Sequence, residues 1–444
     1  MRVHLWGSTQ IAMAKRFFFR FRPMIAAALL MGIVISSCAK TTQPTVGASP
    51  NVGSPGVSAS STAIASRSDS TLVWLQQSWD AYRQRFIQAN GRVIDWEADE
   101  RTTSEGQAYA MLRAVLIDDP DTFARSFNWA ELNLRRFNAN GTPSDSLWSW
   151  KWGKDENGKW VILDKNFASD ADIDAITALI LAARRWNRPD YLQQARIKLR
   201  DLWTLSTVSG PAPQANNPPA LAGNPATMRY LLPGPVEAFR PQPTLLYLNP
   251  SYLAPYAFRI FAQVDADHDW LSLVPSSYAV LNESAKISAA DLPSDWVALN
   301  LTTGRFTPLR DPNPLRSLYG FDAYRVWWRV AIDAKWFNEP AAREYLQQHL
   351  VTLRNLWQAN QAIPAQIDLQ GQPLVTYEST AQYAMLYSAF SVTAPEIADQ
   401  IRQQKLLPTY RDGFWDNNSA YYTQNLSWFG LLSSTDVAVN WLQP

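Results

Sequence analysis

Cysteine is almost missing from this 444-residue chain: there is one, Cys38, in a segment with no foldable core around it. No disulfide and no cysteine-based metal site can form within the chain. Histidine is nearly as scarce, and none of His4, His268 and His349 sits near another His, Cys or Glu at ligand spacing. That argues against zinc and against a Ser-His-Asp triad. Charge of one sign is not in excess either, since 40 Lys and Arg face 39 Asp and Glu. Without a broad basic field to neutralise phosphates, a nucleic-acid partner is disfavoured. The chemistry is expected to rest on carboxylates acting on an uncharged or weakly charged ligand, with no cofactor and no metal.

Long apolar runs are few. The run from Met24 to Ile35, led by the basic Lys15-Arg16-Phe-Phe-Phe-Arg20-Phe-Arg22, is too short to span a bilayer and has the layout of a secretory signal. Ile35-Ser-Ser-Cys38 at its end resembles a bacterial lipobox, in which the cysteine becomes the lipidated first residue of the mature protein. Ala39 is not the Asp that this resemblance links to retention at the inner membrane. Residues 1–37 are therefore expected to be a signal peptide, with translation starting at Met1 or Met13. Cys38 is expected to anchor an exported protein to the membrane at the bacterial cell envelope, in the periplasm or at the outer membrane. Residues 38–70 are rich in Ser, Thr, Gly, Pro and Ala. They lack the large apolar side chains that offset ordering entropy, and a flexible tether is expected.

From 71 to 444 the pattern changes. Apolar residues recur at helical spacing, first as Leu72, Leu75, Trp79, Tyr82 and Phe86, then as Ala108, Met111, Leu112 and Val115, with comparable runs as far as Leu432. Strand-like alternation is scarce. About 375 residues of mostly helical pattern without a second linker point to one domain, large for a single core but suited to a toroid of helical hairpins. An internal echo, Gln107-Ala-Tyr-Ala-Met-Leu112 against Ala381-Gln-Tyr-Ala-Met-Leu386, gives two core-facing helix starts of such a repeat. Ten prolines from Pro211 to Pro250 forbid a long helix there and indicate a loop excursion over one face. Twenty Trp, in a chain that is 12% aromatic, exceed the needs of the core, and flat indole faces suit the apolar faces of sugar rings.

Three carboxylates border apolar helical runs. Glu105, in Thr102-Thr-Ser-Glu105-Gly-Gln-Ala, fits a capping box with Thr102 at the N-cap. Seated among aromatics it would instead keep its proton and act as a general acid, against the pull of the helix terminus. Asp170, Asp172 and Asp174 alternate as in a calcium loop, but Ala175 and Leu181 stand where that loop needs Gly and Glu, so an EF-hand is rejected. Helix capping accounts for Asp170, and a solvated helix surface for Asp174. Asp265, Asp267 and Asp269 fail the same test at Trp270 and Ser276 and read as an exposed turn. Asp322 stands three residues before Arg325, close enough on a helix to pair. That pair is a plain salt bridge, or an arginine holding a general base ionised. Glu378 imitates Glu105 ahead of the echoing segment but is one residue out of step, and an Arg partner or a polar rim role is expected instead of catalysis.

On these residues the chain resembles glycoside hydrolase family 8, over roughly residues 72 to 435. The most specific stretch runs from Ala168-Ser-Asp170-Ala-Asp172 through Ala178-Leu-Ile-Leu-Ala182 to Trp186; Ala175-Ile176 departs from the family pattern, apolar for apolar. Ser104-Glu105-Gly-Gln-Ala-Tyr-Ala-Met, Leu147-Trp-Ser-Trp150-Lys-Trp152, Asn249-Pro-Ser-Tyr252, Asp322-Ala-Tyr-Arg325 and Gln424-Asn-Leu match further. The resemblance implies an all-α (α/α)6 barrel whose loop excursions form a substrate cleft. It implies Glu105 as general acid and Asp322 as general base, with Asp170 binding and distorting the sugar at the cleavage point. Trp150, Trp152 and Tyr252 would line the cleft, with Arg325 beside them as a further substrate-binding residue.

The reading is an inverting endo-β-1,4-glucanase at the cell envelope, trimming cellulose or a related exopolysaccharide of its own cell. The same hydrolase acting on chitosan, xylan or mixed-linkage glucan is the nearest variant. A non-catalytic glycan-binding lipoprotein is the alternative of another class, and a pure binder has no need of the Glu105 and Asp322 pair. A polysaccharide lyase on a similar toroid wants a Tyr or His base at a neutralised uronate, and neither His268 nor His349 has that setting.

Overall fold

The computed structural model describes residues 58–213, 227–433, 435 and 441–443; the expected signal segment, Cys38 and part of the expected tether lie outside the described residues. Helix α1 (Ser58–Phe86) begins inside the stretch that composition assigns to the tether. Its later half buries Leu75, Trp79, Tyr82 and Phe86, and a helix anchored in this way extends toward its N-terminus one backbone bond at a time without a new nucleation cost.

The helices then come in consecutive pairs. Helix α2 (Ser104–Ile117) is followed by α3 (Pro120–Asn133), α4 (Ser169–Arg185) by α5 (Pro189–Ser206), and α6 (Pro255–Ala262) by α7 (Leu273–Ala285). Next, α8 (Tyr324–Trp336) is followed by α9 (Pro340–His349) and α10 (Val351–Asn360), and α11 (Thr380–Thr393) by α12 (Pro395–Ile401), before α13 (Tyr421–Leu432). Contacts run from α2 to α4, α6, α8, α11, α13 and back to α2, a closed ring of six helices. Helices α3, α5, α7, α9 and α12 each pack on the ring helix before them, and α1 packs on α13 and α2, so the two ends of the chain supply the last pair.

Burial explains which helices form the ring. Every residue from Gly106 to Leu116, from Ser169 to Ala182, from Tyr324 to Ala334 and from Ala381 to Phe390 is buried, as expected of helices surrounded by protein on all sides. Helix α5 instead buries Tyr191, Ala195, Lys198, Leu199 and Leu202, the single stripe of an amphipathic second layer. Gly430 lets α13 close on α11: a Cβ there would lie 2.2 Å from the Ala384 carbonyl oxygen.

The two echoing segments start ring helices α2 and α11, and their glutamines play matching parts. Gln107 accepts from the Val93 N–H and donates to the carbonyls of Gly91 and Ser126. Gln382 donates to the Tyr319 hydroxyl and the Pro364 carbonyl. Each buried amide thus ties a loop to the mouth of the ring.

Helices dominate, but the excursions between them contain antiparallel strands that the sequence reading does not foresee. Strands β1 (Thr102–Thr103), β2 (Arg135–Phe137), β3 (Pro143–Lys154) and β4 (Trp160–Phe167) form one sheet. The proline-rich stretch supplies β5 (Thr207–Pro211) paired with β6 (Thr227–Leu231), then β7 (Leu245–Leu248). Strand β7 joins β8 (Val297–Asn300) and β9 (Arg305–Pro308) in a three-stranded sheet. No described helix is long and apolar enough to cross a membrane.

Asp174 corrects the expectation of a solvated helix surface. It is buried, binds both terminal nitrogens of Arg329 on α8 at 2.8 and 2.9 Å, and accepts from the Tyr256 hydroxyl on α6 at 3.3 Å. Burial raises its carboxyl above the usual range, while Arg329 pulls it down. Three ring helices meet at this one carboxylate.

Candidate active site

The ends of the ring helices decide where the carboxylates lie. Glu105, Asp170 and Arg325 are each the second residue of a ring helix (α2, α4 and α8), and Asp322 lies in the turn that enters α8. Backbone N–H groups in a first helical turn have no partner within the helix, so acidic side chains are favoured there.

Glu105 is free for chemistry because its neighbour does the capping. The N-cap of α2 is Thr103, whose hydroxyl accepts from the Gly106 N–H at 3.0 Å. Thr102, the expected cap, is paired with Trp152 across β1 and β3, and its hydroxyl is engaged by the Val93 carbonyl and by Arg92. The helix therefore starts one residue late for a capping box, and the Glu105 carboxyl turns to other partners.

Those partners converge on Arg325. One guanidinium nitrogen, Nη1, donates to Glu105 Oε2 at 2.8 Å and to Asp170 Oδ2 at 2.6 Å, while Nη2 donates to Asp322 Oδ1 at 2.8 Å. The Tyr252 ring lies 5.2 Å from the same guanidinium. Asp170 also accepts from the Ala171 N–H at 2.8 Å. Its side chain is 3% exposed and that of Arg325 2%, against 18% for Glu105 and 11% for Asp322. Glu105 and Asp322 are the two members of the cluster that a ligand can reach most readily.

The environments of these two differ in kind. Burial pushes the Glu105 carboxyl up to about 7; Arg325 pulls it down, Asp170 pushes it up, the Tyr421 hydroxyl pulls it down and Asp322 pushes it up. Tyr421, the first residue of α13, donates to Glu105 Oε1 at 2.9 Å. Asp322 instead receives three N–H donors: Arg325 on Oδ1, and on Oδ2 the Asn249 amide at 3.2 Å and the Trp296 indole at 3.1 Å. Such donors suit a carboxylate. Strand register places the last two together, because Leu248 at the end of β7 faces Val297 at the start of β8, so Asn249 and Trp296 leave the sheet side by side.

Of the other residues singled out in the sequence, Tyr252 joins the cluster. Trp152 stacks on Trp160 with centroids 4.6 Å apart, its edge meets Trp129, and Arg92 covers it. Trp150, two residues earlier on β3, is half-buried with the Lys151 ammonium 5.6 Å from its ring. Glu378 lies elsewhere, partly exposed and paired with Lys405 at 2.6 Å and with the Tyr383 hydroxyl; of the two expected roles, the charge partner is a lysine in place of an arginine. Asp265 is buried beneath its turn, accepting from His268 and the Trp270 indole, both at 2.8 Å. No metal-binding group of three or more His, Cys, Asp or Glu occurs among the described residues.

Sequence reasoning missed Tyr421, Asn249 and Trp296 as partners of the two carboxylates. Asn249 opens a motif already singled out, and Tyr421 stands three residues before Gln424. Trp296 carries no local signal, since only the β7–β8 register brings it in.

Comparison with known proteins gives a concordant result. Residues 57–436 match the family model described as Glycosyl hydrolases family 8. An endoglucanase of Xanthomonas axonopodis pv. citri is 32% identical over 276 residues, 61% of this chain and 62% of the relative. The aligned region thus spans under two thirds of that relative's length. The crystal structure of an endo-1,4-D-glucanase from Vibrio fischeri superposes with a TM-score of 0.63 at 23% identity, covering 80% of this chain and 93% of that one. An endoglucanase from Klebsiella pneumoniae, described as a family 8 glycosyl hydrolase, superposes with a TM-score of 0.61 at 25% identity, covering 80% and 98%.

Proposed function

The chain belongs to glycosyl hydrolases family 8, and from that premise we propose that it hydrolyses internal β-1,4 bonds of a glucan with inversion at the anomeric carbon. The observation that carries this is the division of labour around Arg325: one guanidinium holds two accessible carboxyl groups, of which Glu105 is pushed up to about 7 while Asp322 faces three N–H donors.

In this reading Glu105 gives its proton to the glycosidic oxygen as the bond to C1 breaks. A water on the opposite face of the sugar attacks C1, and its proton passes to Asp322. Room for that water calls for carboxyl groups roughly 6.5–9.5 Å apart, and seating the two acids on different nitrogens of one arginine keeps them separate. Asp170 and Tyr252 hold the sugar at the cleavage point, and the half-buried indole of Trp150 extends the cleft along the chain, with Trp152, stacked on Trp160, two residues on along β3. The six-helix ring is read as an (α/α)6 barrel whose strand-bearing excursions build that cleft.

The same proposal makes residues 1–37 an export signal and Cys38 a lipid anchor, placing the enzyme at the bacterial envelope within reach of cellulose or a related exopolysaccharide of its own cell. The test is to incubate the purified protein with carboxymethylcellulose, lichenan, chitosan and xylan and to measure new reducing ends. Release from the β-1,4-glucans is expected; release from none of the four would turn the reading to a glycan-binding lipoprotein.

A further inference from the structure

Asp322 can serve as a base only if its carboxylate stays turned toward the cleft, and the start of α8 works against this. The N-cap residue of α8 is Ala323, which has no polar side chain to satisfy the first N–H groups of the helix. An aspartate in the residue before such an N–H readily folds back onto it. Asp170 does so in this molecule, accepting from the Ala171 N–H at 2.8 Å. Asp322 stands in the same relation to Ala323.

A second carboxylate fills that role from outside the helix. Asp295, just ahead of β8, is buried, and its Oδ1 accepts from the Ala323 N–H at 2.8 Å, with the Asp322 N–H also bearing on it. Its own N–H donates to the Leu318 carbonyl at 2.8 Å, pinning it to the strand-like segment that leads into the turn. Gly320 makes the approach possible, because a Cβ there would lie 2.6 Å from Leu318 Cδ1 and 2.8 Å from Asp295 Oδ2. The next residue, Trp296, donates to Asp322 Oδ2. Two consecutive residues therefore hold the backbone and the side chain of the same turn.

We propose that Asp295 is a positioning residue: it takes the Ala323 N–H at the start of α8 and so keeps the Asp322 carboxylate turned toward Arg325, Asn249 and Trp296, where it acts as the base. This rests on the hydrolytic reading above. Burial, reinforced by the charge of Asp322, pushes the Asp295 carboxyl well above the usual carboxylate range. What the turn takes from it is an acceptor oxygen, which an asparagine also supplies.

The test compares Asp295→Ala, Asp295→Asn and Gly320→Ala with the unaltered protein on one soluble β-1,4-glucan, with thermal melting as the check on folding. Asp295→Ala is expected to lower kcat by about tenfold to a hundredfold with KM within about twofold, as for a displaced catalytic group. Asp295→Asn is expected to stay within about threefold of the unaltered protein, since the acceptor is kept. Gly320→Ala, which pushes the Asp295 carboxyl off the turn, should reproduce the kcat loss, and it keeps the test available if Asp295→Ala does not fold. The proposal is overturned if folded Asp295→Ala or Gly320→Ala keeps full kcat, or if Asp295→Asn falls as far as Asp295→Ala. An unaltered protein that hydrolyses no glucan would sink the functional reading instead, which separates the two failures.

Discussion

Glu105 and Asp322 are bound by different nitrogens of one guanidinium, that of Arg325, at 2.8 Å each. A planar fork offers three carboxylates, Asp170 included, donors on two nitrogens in fixed directions; an ammonium also has three donors, but on one atom at the end of a flexible stem, and does not hold that spacing. The arginine therefore sets the spacing of the two acids as well as their charge balance.

Replacing Arg325 with Lys is expected to lower kcat by at least about a hundredfold, the scale of a misplaced catalytic group. Stability should fall as well, because the ammonium keeps the charge but not the fixed geometry of the guanidinium hydrogen bonds to the buried carboxylates. Steady-state kinetics and thermal or urea unfolding check the two effects.

Glu105 predicts the pH behaviour. Its proton is needed for catalysis and is lost at about 7 in the folded protein, so kcat/KM should fall as pH rises through about 7. Glu105→Gln should remove this limb together with nearly all activity. The Tyr421 hydroxyl favours the ionised form of Glu105, so Tyr421→Phe should move the limb to higher pH. Linkage has a definite sign: between the ordinary value of 4.5 and about 7 the folded state binds more protons than the unfolded one. Stability from this group therefore declines as pH rises across that window, and Glu105→Gln should flatten the decline. Activity profiles and urea titrations at a series of pH values measure both.

Asp174 predicts a purely structural effect. Removing it leaves Arg329 buried without its carboxylate, so Asp174→Ala is expected to cost about 3–5 kcal/mol of stability. Urea unfolding measures the cost, and the specific activity of the folded fraction should change by less than about threefold.

The ring helices were legible because they are long and apolar, and because the residues with chemistry stand at their first turns: Glu105 before Ala108-Tyr-Ala-Met, Asp170 before Ile173, and Arg325 among Tyr324 to Trp328. Local pattern failed where the outcome depended on distant chain. Asp174 looks solvated until Arg329, 155 residues on, supplies its charge partner. The pairing of Asn249 with Trp296 on Asp322 follows from strand register, which no single segment encodes. The β3 strand escaped notice because its register shifts on both sides of Lys151, which breaks the two-residue alternation by which strands are read. One residue at the start of α2 separates a capping box from a free acid, finer than sequence periodicity resolves.

Glu105 and Asp322 acting on opposite faces of one sugar would invert the anomeric carbon, and the configuration of the newly formed product reports this. Proton NMR of a β-1,4-glucan digest, recorded within minutes of adding enzyme and before the anomers equilibrate, should show the α anomer appearing first. First appearance of the β anomer would mean retention, and would contradict the assignment of Asp322 as the base that activates water.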